Sequence, residues 1–244
     1  MSYIFAVTRA GNTVLIEKYY SWRYNKKGIR RGENRNKTKE SQERVNLRQD
    51  IRKLTLLLNE NFSYGDYHLT FTYAPAQRPD TMEEAKEDLK KVVRKIRGCY
   101  KKAGKELRYI AVTEYGKKGA LHHHIVLNNE VSTREIQDIW GKGWCDFKPM
   151  DKSGEYSRLA AYLLKKKKNW KELGGKGRYY RRSNNLVMPE TVKKIIKTRD
   201  GYYEKPRPRK GYYIDGDSVQ TGHTKEGWPY LSYILIRENG RRGP

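Results

Sequence analysis

Residues 119–128 read Gly-Ala-Leu-His-His-His-Ile-Val-Leu-Asn, and this apolar run carries three of the five histidines in the chain. Its length and its apolar, partly β-branched residues are typical of a β-strand. Side chains on a strand alternate between its two faces, so His122 and His124 share one face and His123 lies on the other. Two imidazoles two residues apart on one face can bind the same metal ion.

The preceding segment supplies a partner strand for this run. Residues 107–115 read as another strand, and residues 116–120, Gly-Lys-Lys-Gly-Ala, read as the hairpin loop between the two. A hairpin centred in this loop places Glu114 opposite His122, and directly opposed residues share a face. The sequence therefore predicts a divalent metal site made of Glu114, His122 and His124, with positions left open for substrate or water.

The ligand types limit the identity of the metal. A carboxylate and phosphate oxygens suit Mg²⁺ or Mn²⁺, which we expect here, and Zn²⁺ also accepts imidazole and carboxylate ligands. The alternative interpretation is that the histidines are polar residues on the wet face of a sheet. His68 is either a further polar group near the metal or a sheet-surface histidine, and we expect the second.

The charge of the chain points to a polyanionic partner. The 244 residues include 53 Lys and Arg against 28 Asp and Glu, which gives a net charge of +25. Nucleic acid is the leading candidate, and the 20 tyrosines and 5 tryptophans suit stacking on unpaired bases as well as packing in a core. Two cysteines, Cys99 and Cys145, have neither disulfide nor zinc-ribbon spacing. No apolar run approaches the roughly 20 residues of a membrane span, so we expect a cytoplasmic protein without a membrane partner.

The order of the predicted elements indicates the fold class. A strand at residues 66–73 is followed by a helix that Thr81 caps and that runs to about Lys102, then by the hairpin. A short helix to about Trp140 and a strand at residues 143–148 complete the series. The order strand, helix, strand, strand, helix, strand predicts an α+β fold, with a central antiparallel sheet and helices on one face, similar to ferredoxin-like or RNA-recognition-motif folds.

Extensions flank this central domain, which we place at residues 62–170. Residues 1–61 are predicted to contain a hairpin, a basic arm at residues 25–44 and an amphipathic helix at residues 41–61. Residues 171–244 form a basic, tyrosine-rich extension that either grips DNA or enlarges the sheet. Within this extension, the spacing of Val192, Ile195 and Ile196 indicates a short helix at best, and a last strand is expected at residues 230–236.

A helix predicted at residues 153–168 presents one tyrosine to solvent. At 100° per residue, Tyr156 falls on the apolar arc of this helix, whereas Tyr162 falls at its edge among basic residues. A phenol among cations is a candidate nucleophile, because positive charge favours the phenolate and attracts phosphate. The alternative is an ordinary amphipathic tyrosine beside a solvated run of lysines.

Three short motifs occur in an order that resembles a known family. His122-His123-His124 fits a His-hydrophobic-His motif except for its middle histidine, Tyr162-Leu163-Leu164-Lys165 fits a Tyr-x-x-Lys motif, and Leu69-Thr70-Phe71-Thr72-Tyr73 is similar to a first motif. Together they resemble the HUH endonucleases, the rolling-circle replication initiators of phages, plasmids and related elements. The run Glu114-Tyr115-Gly116 is most similar to the replication-associated proteins of single-stranded DNA phages and bacterial mobile elements.

This resemblance implies an activity and roles for the residues. Tyr162 would attack a phosphodiester of single-stranded or hairpin origin DNA and keep the 5′-phosphate, assisted by the metal site and by Lys165. The free 3′-hydroxyl would then prime the polymerase of a bacterial host. The residues that we assign to DNA contact are Arg158, Lys166, Tyr73, Lys117 and Lys118. A relaxase or a single-strand transposase would use the same chemistry, and a non-catalytic nucleic-acid-binding protein is the alternative from another class.

Overall fold

The chain folds as an α+β protein, as predicted. The computed structural model describes residues 2–22, 24, 40–116, 119–167, 170, 178–197, 205–224 and 226–238. Within these residues there are two five-stranded antiparallel sheets and four α-helices. Two compact units are formed: the terminal unit, Met1–Glu60 with Met188–Pro244, and the inserted unit, Asn61–Val187. None of the described helices is both long and apolar enough to cross a membrane.

The elements follow one another along the chain in this order: β1 (Ser2–Ala10), β2 (Thr13–Ser21), α1 (Glu40–Asn61), β3 (Tyr67–Thr72), α2 (Met82–Lys102), β4 (Tyr109–Tyr115), β5 (Leu121–Leu127), α3 (Thr133–Trp140), β6 (Cys145–Pro149), α4 (Ser157–Leu164), β7 (Tyr180–Arg182), β8 (Thr191–Ile196), β9 (Tyr212–His223) and β10 (Pro229–Arg237). A single 3-10 turn, Pro75–Gln77, separates β3 from α2. The first hairpin, the long amphipathic helix and the last strand therefore lie where the sequence predicts them. Of the basic arm, residues 25–39 lie outside the described residues and the remainder begins α1.

The inserted unit contains the sheet that carries the histidines. Its strand order is β6-β3-β5-β4-β7, and all neighbours are antiparallel. Strands β3 and β4 are consequently parallel to each other, with β5 between them and α2 as their connection. This is the split β-α-β arrangement of ferredoxin-like folds, which the predicted order of elements indicates.

Helices α2 and α3 pack on one face of this sheet. Thr81 caps α2 by accepting a hydrogen bond from the Glu84 backbone, and Ser132 forms a capping box at the start of α3. The apolar stripe of α2 joins Leu69, Phe71 and other alternate strand residues in one core. The remaining alternate residues of β3, β4 and β5 face the opposite side, and these include His122 and His124.

The terminal unit has a sheet of its own, in the order β8-β1-β2-β10-β9. Helix α1 contacts the β1–β2 turn, where the Asn59 side chain donates to Thr13 Oγ1 at 3.0 Å and Glu60 accepts from the Gly11 backbone at 2.8 Å. Gly11 has a φ of +54°, and a Cβ at this position would lie 2.0 Å from the Asn59 carbonyl oxygen. The turn therefore requires glycine on two grounds, its left-handed backbone and the close approach of α1.

Two local predictions were wrong. Val192, Ile195 and Ile196 belong to a strand, β8, because their backbone pairs with β1 and their β-branched side chains suit an extended edge strand. Helix α4 is also shorter than predicted. Gly154 adopts a φ of +65° and Ser153 hydrogen-bonds with Asp151, so the chain turns before the helix begins.

Both ends of the inserted unit are joined by one side chain. The Asn61 amide donates to the Val187 carbonyl oxygen at 2.8 Å and accepts from the Val187 backbone N–H at 2.7 Å. Asn61 is buried, so both hydrogen bonds are shielded from water. The chain thus enters and leaves the inserted unit at adjacent points.

Candidate metal and nucleophile site

The β4–β5 hairpin delivers three potential metal ligands to one face. Its register pairs Glu114 with His122 and Val112 with His124, as predicted from the loop position. On the other side of β5, Thr70 of β3 pairs with His124. Because directly opposed residues share a face, Glu114, His122 and His124 converge on the side of the sheet away from α2 and α3.

The ligand atoms of these three residues lie within 4.8 Å of one another. Nε2 of His122 is 3.2 Å, and Nε2 of His124 is 3.5 Å, from Oε1 of Glu114. Neither approach has hydrogen-bond alignment, and both Glu114 carboxyl oxygens are buried without a hydrogen bond to any described residue. A buried carboxylate needs a compensating partner, and a divalent cation bound between the three residues would supply one. The three side chains therefore fit a metal ion.

The protonation states suit the same role. Burial raises the pKa of the Glu114 carboxyl, but the neighbouring His122, His124 and Lys166 outweigh it and hold that pKa well below its ordinary value. Burial lowers the pKa of His124, and its contact with Glu114 only partly offsets this effect. A charged carboxylate and a neutral imidazole are the forms that bind a metal.

His124 is oriented by its second ring nitrogen. Nδ1 lies 3.3 Å from Nε2 of His68 and 3.3 Å from Oγ1 of Thr70, which holds the ring with Nε2 towards Glu114. His68 thus lies at the site, against our expectation of a sheet-surface residue. Burial, with the neighbouring His124 and Lys148, lowers the pKa of His68 to about 4.

Tyr162 meets the same histidine from α4. This helix buries Ala160, Leu163 and Leu164, and Tyr162 is 40% exposed, as the helical periodicity predicts. The Tyr162 hydroxyl lies 3.4 Å from Nε2 of His124, the atom that also faces Glu114. A phosphate bound at the three ligands would therefore lie beside an accessible phenol.

Two lysines bring positive charge to the phenol and the carboxylate. Nζ of Lys165 lies 3.6 Å from the centre of the Tyr162 ring and 4.0 Å from Oε1 of Glu114. Nζ of Lys166 lies 3.6 Å from the same oxygen and donates to the Tyr115 carbonyl. Cations in these positions can stabilise a phenolate and the charge on a bound phosphate.

A comparison with known families bears directly on this constellation. Residues 66–167 match the family of replication-associated proteins described as ORF2. This segment is an ORF2-family replication domain. It extends from the start of β3 to just beyond α4 and includes Glu114, both histidines, Tyr162 and both lysines. Neither a curated protein nor a solved structure matched the chain.

The middle histidine of the ORF2-family domain has a different role from its neighbours. His123 points into the α2–α3 side of the sheet and is fully buried. Nε2 of His123 hydrogen-bonds with the Tyr73 hydroxyl at 2.8 Å, and Nδ1 hydrogen-bonds with Oγ1 of Thr113 at 2.9 Å. A histidine therefore replaces the apolar residue of the motif by satisfying two buried hydroxyls.

The residues predicted to contact DNA are placed unequally in the domain. Tyr73 is 7% exposed and bonded to His123 in the core, so its placement contradicts that prediction. Lys117 and Lys118 lie outside the described residues. Arg158 is exposed one turn before Tyr162, and Lys166 lies beside Glu114, so for both residues DNA contact stays a prediction.

Tyr179 is a residue near the site that the sequence analysis missed. It follows the lysine-rich and glycine-rich segment and precedes β7, which pairs with β4 at Val112. Its hydroxyl is buried, and burial together with the charge of Glu114 raises the pKa of the Tyr179 phenol. Tyr156, by contrast, is a core residue whose hydroxyl donates to the Asp151 carbonyl. No local pattern identifies Tyr179, because its position depends on β7 joining the sheet.

Proposed function

We propose that this chain is a rolling-circle replication initiator of the HUH type, which nicks and rejoins single-stranded origin DNA through a 5′-phosphotyrosine on Tyr162. One observation carries the proposal: the Tyr162 hydroxyl and the Glu114 carboxylate approach the same atom, Nε2 of His124, at 3.4 and 3.5 Å. A nucleophile and a potential metal centre are thus adjacent, on a face with two lysines. The match of residues 66–167 to the ORF2 family of replication-associated proteins supports replication over the relaxase and transposase alternatives.

Glu114, His122 and His124 would hold a divalent ion, Mg²⁺ or Mn²⁺, which would supply Lewis-acid polarisation of the scissile phosphate. Tyr162 Oη attacks the phosphorus and forms a new P–O bond, while the bond from phosphorus to the 3′ oxygen breaks. The phenol loses a proton and the leaving 3′ oxygen gains one, so the step is balanced. The 5′-phosphate stays on Tyr162.

Lys165 has two functions in this reaction. Its position over the Tyr162 ring favours the phenolate, and its charge opposes the negative charge that develops on the phosphate. Lys166, which lies near Glu114, adds positive charge on the same side. Because the bond formed and the bond broken are both phosphodiesters, the reverse attack by a 3′-hydroxyl rejoins the strand without a nucleotide energy source. The released 3′-hydroxyl is a primer for a host polymerase.

The test is a covalent adduct assay. The full chain is incubated with Mn²⁺ and labelled single-stranded oligonucleotides that tile the neighbouring genome, and denaturing gels report protein-linked label. We expect an adduct that Tyr162→Phe and His124→Ala abolish. Tyr64→Phe is the matched control, because Tyr64 is an exposed tyrosine of the same unit and should leave the adduct unchanged.

Each other outcome is decisive for one part of the proposal. An adduct that survives Tyr162→Phe would move the nucleophile to another tyrosine and would refute the assigned chemistry. An adduct formed equally with EDTA in place of Mn²⁺ would refute the metal site. Tight binding of every oligonucleotide without any adduct would favour a non-catalytic nucleic-acid-binding protein.

A further inference from the structure

The terminal unit carries a basic groove of about 450 Å³ on one face of its sheet. Two aromatic side chains, Phe5 and Tyr233, contribute to its lining. The cationic side chains that define this basic groove are Lys18, Lys194, Lys205, Arg207 and Arg209. No acidic residue lines the groove within the part of the chain that the structure describes. Its composition matches a polyanionic ligand with apolar or aromatic parts.

The sheet register places two of the cations on either side of an aromatic ring. Phe5 of β1 pairs directly with Lys18 of β2 and with Lys194 of β8. Directly opposed residues share a face, so the three side chains stand in one row across the sheet. The two lysine backbones are about 10 Å apart, because adjacent strands are separated by about 4.8 Å.

The segment before β9 brings further cations over the same face. The Arg207 backbone N–H donates to the Tyr233 hydroxyl at 3.3 Å, and that hydroxyl is also 3.3 Å from the Arg207 carbonyl oxygen, which accepts from it. This contact anchors the segment that carries Lys205 and Arg209, and both of these side chains are exposed. The basic groove is therefore formed by three strands and an anchored segment.

The groove concentrates like charges where burial makes them costly. Lys18 is 8% exposed, and burial together with the nearby Arg207 lowers the pKa of its ammonium group. Cations assembled against one another destabilise a fold by mutual repulsion, and a bound anion relieves that repulsion. Such an arrangement is typical of a site that binds phosphate groups.

We propose that the basic groove binds the phosphate backbone of single-stranded DNA, with unpaired bases against Phe5, as a second DNA site outside the ORF2-family domain. The identification of the anion as DNA rests on the proposed function. Residues 66–167 include none of the groove residues, so the groove and the Tyr162 site can be tested separately.

The test is equilibrium binding of a long labelled single strand by the full chain over a range of salt concentrations. The groove variant is Lys194→Gln with Arg209→Gln, both exposed. The matched control is Arg44→Gln with Lys53→Gln, which removes two exposed cations from α1 of the same unit. Loss of two phosphate contacts lowers the slope of log affinity against log salt by about 1.4, which is about 25-fold in affinity at about 0.1 M salt relative to 1 M.

We expect the groove variant to show both losses and the control to bind as the wild type does. A short oligonucleotide that covers only the nick site should form its adduct equally in all three proteins. The inference would be overturned if the groove variant kept the wild-type slope and affinity, or if it lost the short-oligonucleotide adduct to the same extent as long-strand binding. Binding requires no cleavage, so failure of the wild type to form any adduct would refute the proposed function and leave this result standing. Unfolding temperatures of the variants verify that each protein is folded.

Discussion

Substitution of His123 by leucine separates a structural histidine from the metal-binding ones. The adjacent His122 is the matched position, because the two side chains point to opposite faces of β5. His123→Leu should destabilise the fold and leave metal binding intact. His122→Leu should do the reverse, since its side chain is 16% exposed and close to Glu114 but is bonded to little else.

The size of the His123→Leu effect follows from the two hydrogen bonds of its ring. The Thr113 hydroxyl, in a residue that is 8% exposed, would lose its partner, which costs about 1–3 kcal/mol for a buried polar group. The Tyr73 hydroxyl keeps a 3.3 Å contact with Asp88, so only one net hydrogen bond of about 0.5–1.5 kcal/mol is lost there. The free energy of unfolding should therefore fall by about 1.5–4.5 kcal/mol. Adding Thr113→Val should recover part of this loss, because it removes the orphaned hydroxyl.

Calorimetric unfolding measures the first quantity, and titration calorimetry with Mn²⁺ measures the second. We expect His123→Leu to unfold at a lower temperature with an unchanged affinity for Mn²⁺, and His122→Leu to show the opposite pair of results. The reasoning would be refuted if His123→Leu lost Mn²⁺ affinity at unchanged stability, since this would make the middle histidine a ligand.

Three further predictions address other parts of the molecule. Mn²⁺ at about 100 times its Kd should stabilise the wild type by about 2.7 kcal/mol and raise its unfolding temperature by about 5–11 °C, and Glu114→Gln should abolish this shift; an equal shift in the variant would exclude Glu114 as a ligand. Gly11→Ala should lower the free energy of unfolding by at least about 1–2 kcal/mol, the cost of a left-handed backbone with a side chain, because its Cβ also meets the Asn59 carbonyl; denaturant unfolding at wild-type stability would contradict this. Burial, with Asp146, raises the pKa of the Cys145 thiol to about 12, so near neutral pH iodoacetamide should label the half-buried Cys99 far faster, and Cys145 should gain reactivity only as the pH approaches 12; equal labelling by mass spectrometry would argue against a buried thiol.

The parts of the site that the sequence predicts are those set by local geometry. The register of Glu114 against His122 follows from the loop length and the alternation of the strand, which a shift of one residue would invert. The choice of Tyr162 over Tyr156 follows from helical periodicity in the same way. Both features involve residues close together in the chain.

The parts that sequence analysis missed depend on which strands become neighbours. His68 reaches His124 only because β3 lies beside β5, and Tyr179 reaches the neighbourhood of Glu114 only because β7 pairs with β4. Strand β8 was predicted as a helix because the spacing of its apolar residues fits either structure, and pairing with β1 decides between them. Non-local pairing of this kind has no signature in a short window of sequence.

The closed ends of the inserted unit imply an order of assembly. Three of the five strands in the terminal sheet come after Val187, and Thr8 of β1 meets Thr191 of β8 across 183 positions of chain. During synthesis the inserted unit is therefore complete while β1 and β2 still form a lone hairpin, which is marginally stable by itself. A premature stop before β8 would leave the residues of the Tyr162 site in place and remove most of the terminal sheet, together with the strand that carries Lys194. The cleavage centre is thus made first, and the basic groove is the last part of the molecule to form.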